Sequence, residues 1–357
     1  MSTQDKIRVP EASLRATVTA ILEKLGETPE DAALGADTLL DADLRGIEMQ
    51  GVTLLLPIQV QRYKDGWIKP RAQWRIIRET PGTATIDSNH GLVWILGSKY
   101  MQLAVEKARK VGVGVVTAFG GGDSGRIGHY ARKAIEHDMV GMVTSCQRAM
   151  AAPTFGAEPR FGTNPIAIAA PTGNEVPFIF DTATTATALG RLRIAYRDGK
   201  PFRPGTIAEL DGTPIMEETP SRPEGEFIML PQGGDREHGS HRGYGFGLMA
   251  EVLSTMLTGT LPPMLDPDAR ERCFFAAYNI AAFCDVDTFK DNMDRMLRKL
   301  METKTAPGHD RVVYPGLPSH EEMQRRRVSG IPLHHGVIEW FAGLSEELGV
   351  PRLELLD

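Results

Sequence analysis

The chain predicts an α/β body, with α+β character, that opens on a helical piece. Three observations carry this. Apolar residues recur at helical spacing from residue 11 to residue 43. Short β-prone runs then alternate with helical stretches and crowd together in the middle of the chain. The 357 residues, 41% hydrophobic and 24% charged, suffice to bury a large core in more than one subdomain.

The opening helical hairpin rests on Leu14, Val18, Ile21, Leu22 and Leu25, then on Ala33, Ala36, Leu39 and Leu40. Gly26 ends the first helix, and Thr28-Pro29-Glu30-Asp31 supplies a cap and an acidic first turn for the second. A third amphipathic run, 52–63, stops before Asp65-Gly66. Residues 83–92 read as a strand and turn, and 95–111 as a helix. Strands are expected at 113–119, 140–146, 165–170 and 178–181, each bounded by Gly, Pro or polar turns. The Pro-, Gly- and Glu-rich stretch 203–239 lacks periodicity and reads as irregular loops. Helices return at 244–257, 288–300 and 332–348.

Charge and cysteine content exclude several classes. A net charge of −6 leaves no broad basic face for nucleic acid or an anionic membrane. The one short basic run, Arg325-Arg326-Arg327, follows Glu321 and Glu322 and reads as a solvated helix face. Cys146, Cys273 and Cys284 are an odd set without C-x-x-C, which argues against a disulfide framework and for a reducing compartment. The N-terminal residues lack the apolar core of a signal peptide, and no run reaches the roughly 18 apolar residues that span a bilayer, so a cytoplasmic location is expected. Around His129, His137 and Asp138 no ligand spacing such as H-E-x-x-H occurs, and no metal is expected.

Residues 115–135, VVTAFGGGDSGRIGHYARKAI, place Gly120, Gly122 and Gly125 as G-x-G-x-x-G between an apolar run and a helical pattern. A dinucleotide fingerprint also needs an acid about 20 residues on, at the end of the next strand. Here that strand ends in Ser145-Cys146-Gln147, Asp138 precedes it, and Asp123 inside the loop would repel a phosphate. Arg126 can hold an anion, as can any first-turn arginine. A strand-to-helix turn explains the glycines better than a phosphate loop.

A different resemblance is stronger. DAALGADTLLDADLRG (31–46), FGTNPIAIAAPT (161–172), FDTATTATALGRLRIA (180–195), SHRGYGFGLMAEVLSTMLTG (240–259) and VVYPGLPSHEEM (312–323) resemble, in order, segments of the malate/L-lactate dehydrogenase family that lacks a Rossmann fold. The resemblance implies a largely antiparallel NAD(P)-binding domain, a helical N-terminal piece and a smaller substrate domain. It also implies NAD or NADP as cofactor, a small-molecule substrate, and a homodimer with active sites near the subunit interface. The expected division is 1–78 for the helical region, 79–135 with 305–357 for substrate and catalysis, and 136–304 for NAD(P).

Hydride transfer needs an oriented nicotinamide, a proton donor for the product, and a cation for a substrate carboxylate. At the family's Ser-His-Gly motif this chain has Gln50 for the histidine, and four residues on it has Leu54 for an arginine. In the loop that is Ser-Asn-His-Phe-Gly in the family, Asp123 replaces the second histidine. Glutamine can donate a hydrogen bond but has no proton to exchange. Asp123 can serve as acid/base if burial favours its neutral form, or it can be a loop aspartate capping the helix that follows. His129, four residues after Gly125, can face the same cleft or be a core histidine. By resemblance, Asp181, Thr182, Ala183 and Arg191 contact the dinucleotide, and His241-Arg242-Gly243 stand at the family's His-Lys-Gly helix start. For Asp181 and Gly243 a plain turn role stays open.

The leading expectation is an NAD(P)-dependent oxidoreductase acting on a 2-oxoacid, 2-hydroxyacid or cyclic imine through an altered pocket. The alternatives are a non-redox lyase, isomerase or hydrolase centred on Asp123 or His129, or a homologue that binds NAD(P) or a metabolite without turnover.

Overall fold

A computed structural model describes residues 6–356; residues 1–5 and 357, which include the start of the segment read above for a signal peptide, lie outside the described residues. The chain opens with β1 (Lys6–Val9), α1 (Glu11–Lys24) and α2 (Pro29–Leu44). The break between the two helices is chemical. Thr28 Oγ1 accepts a hydrogen bond from the Asp31 amide at 3.1 Å, and Pro29 opens the next turn. After α3 (Leu55–Lys64) come β2 (Arg75–Glu79), β3 (Thr83–Asp87), α4 (Val93–Val111) and β4 (Val113–Gly121). A short α5 (Gly128–Lys133) leads into β5 (Met139–Cys146), β6 (Ile166–Ala170) and β7 (Phe178–Thr182). Next are α6 (Leu189–Arg197), β8 (Ile207–Ala208), β9 (Ile228–Met229) and α7 (Ser240–Ser254). The chain closes with β10 (Glu271–Asn279), α8 (Val286–Met301), α9 (Leu317–Ser329), β11 (Ile331–His334) and α10 (His335–Leu348).

Seven strands make one sheet in the order β2-β3-β4-β10-β5-β6-β7. Every pairing is antiparallel except β3–β4, which α4 joins as a crossover. This is the α/β architecture the sequence predicts, with the largely antiparallel strand arrangement that the resemblance implies. It also explains the glycine loop. In a Rossmann unit the strands flanking the glycine turn and its helix lie side by side. Here β10 is wedged between β4 and β5, antiparallel to both, so the loop is a turn of another kind.

Two glycines set how closely helices approach the sheet. A Cβ at Gly114 would strike the Ala104 carbonyl oxygen of α4, and one at Gly141 the Ala131 carbonyl oxygen of α5. Over that contact Ile86, Val116, Val143 and Phe275 bury against Tyr100, Met101, Ala104 and Tyr130. A second cluster joins Leu14, Val18, Ile21 and Leu39 to Ile331, Leu333 and Phe341 of the C-terminal strand and helix. Leu92, Trp94 and Ile95 belong to this second cluster and sit at the start of α4, next to the sheet.

Some elements depart from expectation. The stretch 332–348 is not one helix: residues 331–334 pair with β1, and α10 starts at His335. Pro332 is tolerated there because β11 pairs only with β1 among the described strands and so is an edge strand. The 203–239 loops carry the two-residue strands β8 and β9, and β10 and α6 are additional to the elements the sequence predicts. Arg326 is not solvated; it is 6% exposed and donates to the Asp43 carbonyl at 2.7 Å, because α9 turns that side onto α2. No helix among the described residues is long and apolar enough to cross a membrane.

Candidate active site

The loop after β4 turns through left-handed conformations at Gly120 (φ +74°) and Gly125 (φ +58°), where a side chain would be strained. Half-buried Asp123 organises it. One carboxylate oxygen accepts from the Gly125 amide at 2.8 Å and from the Trp94 indole at 3.3 Å, and the other accepts from Gln147 at 3.4 Å. Asp123 therefore closes its own turn and does not cap α5. That role falls to Asp181, which accepts from the Gly128 amide at 2.8 Å.

Behind Asp123 lies a group the sequence did not single out. The Ser124 and Ser145 hydroxyls are 3.0 Å apart, and the Ser145 hydroxyl shares a short hydrogen bond with Glu271 at the start of β10. Glu271 is 5% exposed; burial, reinforced by the negative charge of Asp123, pushes its carboxyl up to about 8. It therefore carries a proton at neutral pH. An acid opening the apolar run Cys273–Phe275 was the only hint in the sequence.

A second polar centre packs behind α5. Arg126, 4% exposed, reaches Asp41 at 2.5 Å and lies 3.8 Å from Asp181. Burial alone would raise the Asp41 carboxyl, but His129, Arg126 and Arg45 around it hold it well below its usual range. Burial raises the Asp181 carboxyl, against the pull of Arg126 and the Gly128 amide. His129 belongs to this centre, with Nδ1 3.7 Å from Asp41, and burial keeps its imidazole below the ordinary value. Among the described residues no hydrogen bond or ion pair joins His129 to Asp123.

Gln50 ends a single 3-10 turn, Glu48–Gln50. The segment is anchored by fully buried Asp43, which accepts from the Val52 amide at 2.8 Å and is pushed by burial to about 7. The start of α6 sits on this segment: a Cβ at Gly190 would lie 2.7 Å from Met49 Cβ and 3.3 Å from Leu54 Cδ1. Between them opens a cleft of about 450 Å³, lined by residues 46–49 on one side and by Thr187, Arg191, Phe202 and Thr206 on the other. The fold thus brings Leu54 and Arg191, and the turn that carries Gln50, to one place.

Thr182, Ala183 and Gly243 also come together, around Gln232. The Gln232 amide donates to Ala183 O at 2.7 Å and to Thr182 Oγ1 at 3.2 Å. A Cβ at Gly243 would stand 2.5 Å from the Gln232 nitrogen, so the first turn of α7 requires glycine there. His241 accepts a hydrogen bond at Nδ1 from Arg236 at 2.8 Å; burial and the neighbouring Arg236 and Arg242 keep the ring below its ordinary pKa. Arg242 is exposed. Among the described residues no three His, Cys, Asp or Glu side chains are grouped to hold a metal ion.

Glu271 makes a stability prediction whose sign follows from proton counting. From about pH 4.5 to about pH 8 the folded chain keeps the Glu271 proton and the unfolded chain releases it, so stability falls as pH rises through that window. Asp43 adds a decline of the same sign between 3.8 and about 7. Glu271→Gln should remove the first part, worth a few kcal/mol at the alkaline end. Urea unfolding at several pH values checks this, and parallel pH profiles for wild type and variant would refute it.

Comparison with known proteins adds a family. A model described as malate/L-lactate dehydrogenase matches residues 9–341. The chain is 35% identical over 364 residues to a malate dehydrogenase of Pyrococcus abyssi, covering 99% of this chain and 98% of that protein. It is 33% identical over 343 residues to an L-sulfolactate dehydrogenase of Methanocaldococcus jannaschii, covering 92% and 94%. The solved structure of malate dehydrogenase from Entamoeba histolytica matches with a TM-score of 0.91 at 32% identity, over 97% of this chain and 99% of that one.

Proposed function

The chain belongs to the malate/L-lactate dehydrogenase family and is an oxidoreductase of 2-hydroxyacids or 2-oxoacids; on that premise we propose that it uses NAD or NADP and works through an altered pocket. Cyclic imines are included in the substrate class, because a neutral or less anionic substrate suits a pocket with Leu54 where the family has a cation. Losing that contact removes roughly 1.5–3 kcal/mol of binding for a carboxylate. The observation that carries the reading is buried Glu271 set behind Asp123, whose negative charge acts on it, with the Ser145 hydroxyl bonded to Glu271 and the Ser124 hydroxyl to Ser145.

The residues fit a dinucleotide by their chemistry. Arg191 on α6 and Arg242 at the α7 start are exposed cations, and α7 begins without a side-chain cap, which leaves amides and a favourable dipole for phosphate. Residues 184–186 run beside 230–232, which leads into α7, so the two basic segments share one framework. We assign 136–304 to the dinucleotide, with Asp181, Thr182 and Ala183 shaping its site alongside Gly243 and with His241 at its edge. A bound nicotinamide would supply or accept the hydride. The chain's own part is proton handling. Half-buried Asp123 meets the substrate oxygen or nitrogen; Glu271 holds a proton behind it, bonded to the Ser145 hydroxyl, which in turn meets that of Ser124. Gln50 donates a hydrogen bond that orients the substrate carbonyl.

The exposed face of α7, with Phe246, Met249 and Val252 continuing into Met256 and Leu257, supports a homodimer, since its opposite face already packs on β5 and β10. Sedimentation velocity reads this directly; a monomer at micromolar concentration would overturn it. The redox reading is tested by fluorescence titration with NADH and NADPH separately. Saturable binding of at least one is expected, and binding of neither would refute it.

A further inference from the structure

A cavity of about 330 Å³ opens between α1, α2, α5 and α9, and it shares no lining residue with the cleft at residues 46–49. Its wall is cationic: Arg15, Arg45, Arg132, Lys133 and Arg327 face Asp37 and Asp41. Most of these cations are engaged. Arg15 pairs with Asp37 and Glu11, Arg327 lies 3.5 Å from Glu11, and Arg45 bonds Asp41 at 2.9 Å. Arg132 is not: its nearest carboxylates, Asp41 and Glu136, are 3.7 and 3.9 Å away, beyond hydrogen-bond reach. Lys133 has no ion pair among the described residues.

The decisive feature is His129. It is 3% exposed and lines this cavity, yet neither ring nitrogen makes a hydrogen bond. The nearest carboxylate oxygen, of Asp41, is 3.7 Å from Nδ1, beyond ordinary hydrogen-bond distance. The buried Nε of Arg132 is also unbonded. Buried polar groups in folded proteins nearly always have partners. Here several donors without one meet at a single cavity that carries excess positive charge.

We propose that this cavity binds a small dianion of the phosphate class, inorganic phosphate or the phosphate group of a metabolite, held by Arg132, Lys133 and His129. Its tetrahedral oxygens can accept from a guanidinium, an ammonium and an imidazole on different sides at once, where a planar carboxylate offers two oxygens in one plane.

The test is calorimetric titration of the full chain with sodium phosphate at low ionic strength, with sodium succinate and sodium chloride as comparison arms. His129 is followed in parallel by its imidazole NMR resonance, identified from its loss in His129→Asn. Saturable phosphate binding in the millimolar range or tighter is expected, together with a shift of the His129 resonance. The Arg132→Gln/Lys133→Gln double variant should bind about tenfold or more weakly. These two side chains are at the rim, so its melting temperature serves as the folding control. If the variant fails to fold, the His129 shift in wild type still decides. Four outcomes would overturn the proposal: no saturable binding, binding that leaves His129 unmoved, binding the folded double variant retains in full, and succinate binding as tightly as phosphate. The second and third would place the ion elsewhere, for example at the α7 start. A phosphate metabolite is separated from inorganic phosphate by repeating the titration with glycerol 3-phosphate, tighter binding of the ester assigning the site to esters.

Discussion

Arg126→Met is expected to destabilise the protein by about 3–5 kcal/mol, the cost typical of removing one partner from a buried ion pair. Arg126 is 4% exposed and reaches Asp41 on α2 at 2.5 Å while lying 3.8 Å from Asp181 on β7. Without the guanidinium, two carboxylates remain at the junction of helix and sheet with less compensation, and Asp41 itself is 8% exposed. Exposed pairs such as Arg311–Glu321 or Arg325–Glu322 are screened by solvent and contribute little, so charge content as such is not the issue. Urea unfolding at neutral pH measures the effect. A loss under about 1 kcal/mol would mean that Arg45 and Arg132 suffice to hold Asp41.

Asp123→Asn is expected to lower kcat about 10²–10⁴-fold with a smaller change in KM, because on the proposed reading it removes the proton-transferring group and little binding. The substitution keeps the shape of the turn: an asparagine oxygen can still accept from the Gly125 amide and the Trp94 indole, which Asp123 now holds at 2.8 and 3.3 Å. It also removes the negative charge that helps keep Glu271 protonated, so the alkaline limb of the rate profile should move to lower pH. Steady-state reduction of oxoacids or cyclic imines, with the better of NADH and NADPH, provides the measurement. Activity within about twofold of wild type would remove Asp123 from the chemistry.

Much of the frame was legible. The opening hairpin follows from Gly26 and the Thr28-Pro29 cap, and the strands from β4 to β7 follow from short apolar runs bounded by turn residues. The family could be read because several ordered segments match its pattern, and the readings at Gln50, Leu54 and Asp123 rest on that resemblance. β10 could not, since its run of buried residues, Glu271 to Ala277, has no strict alternation and starts with two charged residues. Arg326 was misread for a related reason: on a helix rich in charge, sequence does not say which turn meets a neighbour.

By itself the sequence determined most of the local elements and the family. These are short-range properties, written in periodicity, capping and ordered motifs. Only the tertiary structure placed β10 between β4 and β5, put Glu271 behind Asp123, and bound Arg126 to Asp41 and Asp181. Charged residues are usually solvated, so a buried one leaves no pattern in its own neighbourhood. Its partner lies on another element, and the chain had to fold before either ionisation could be read.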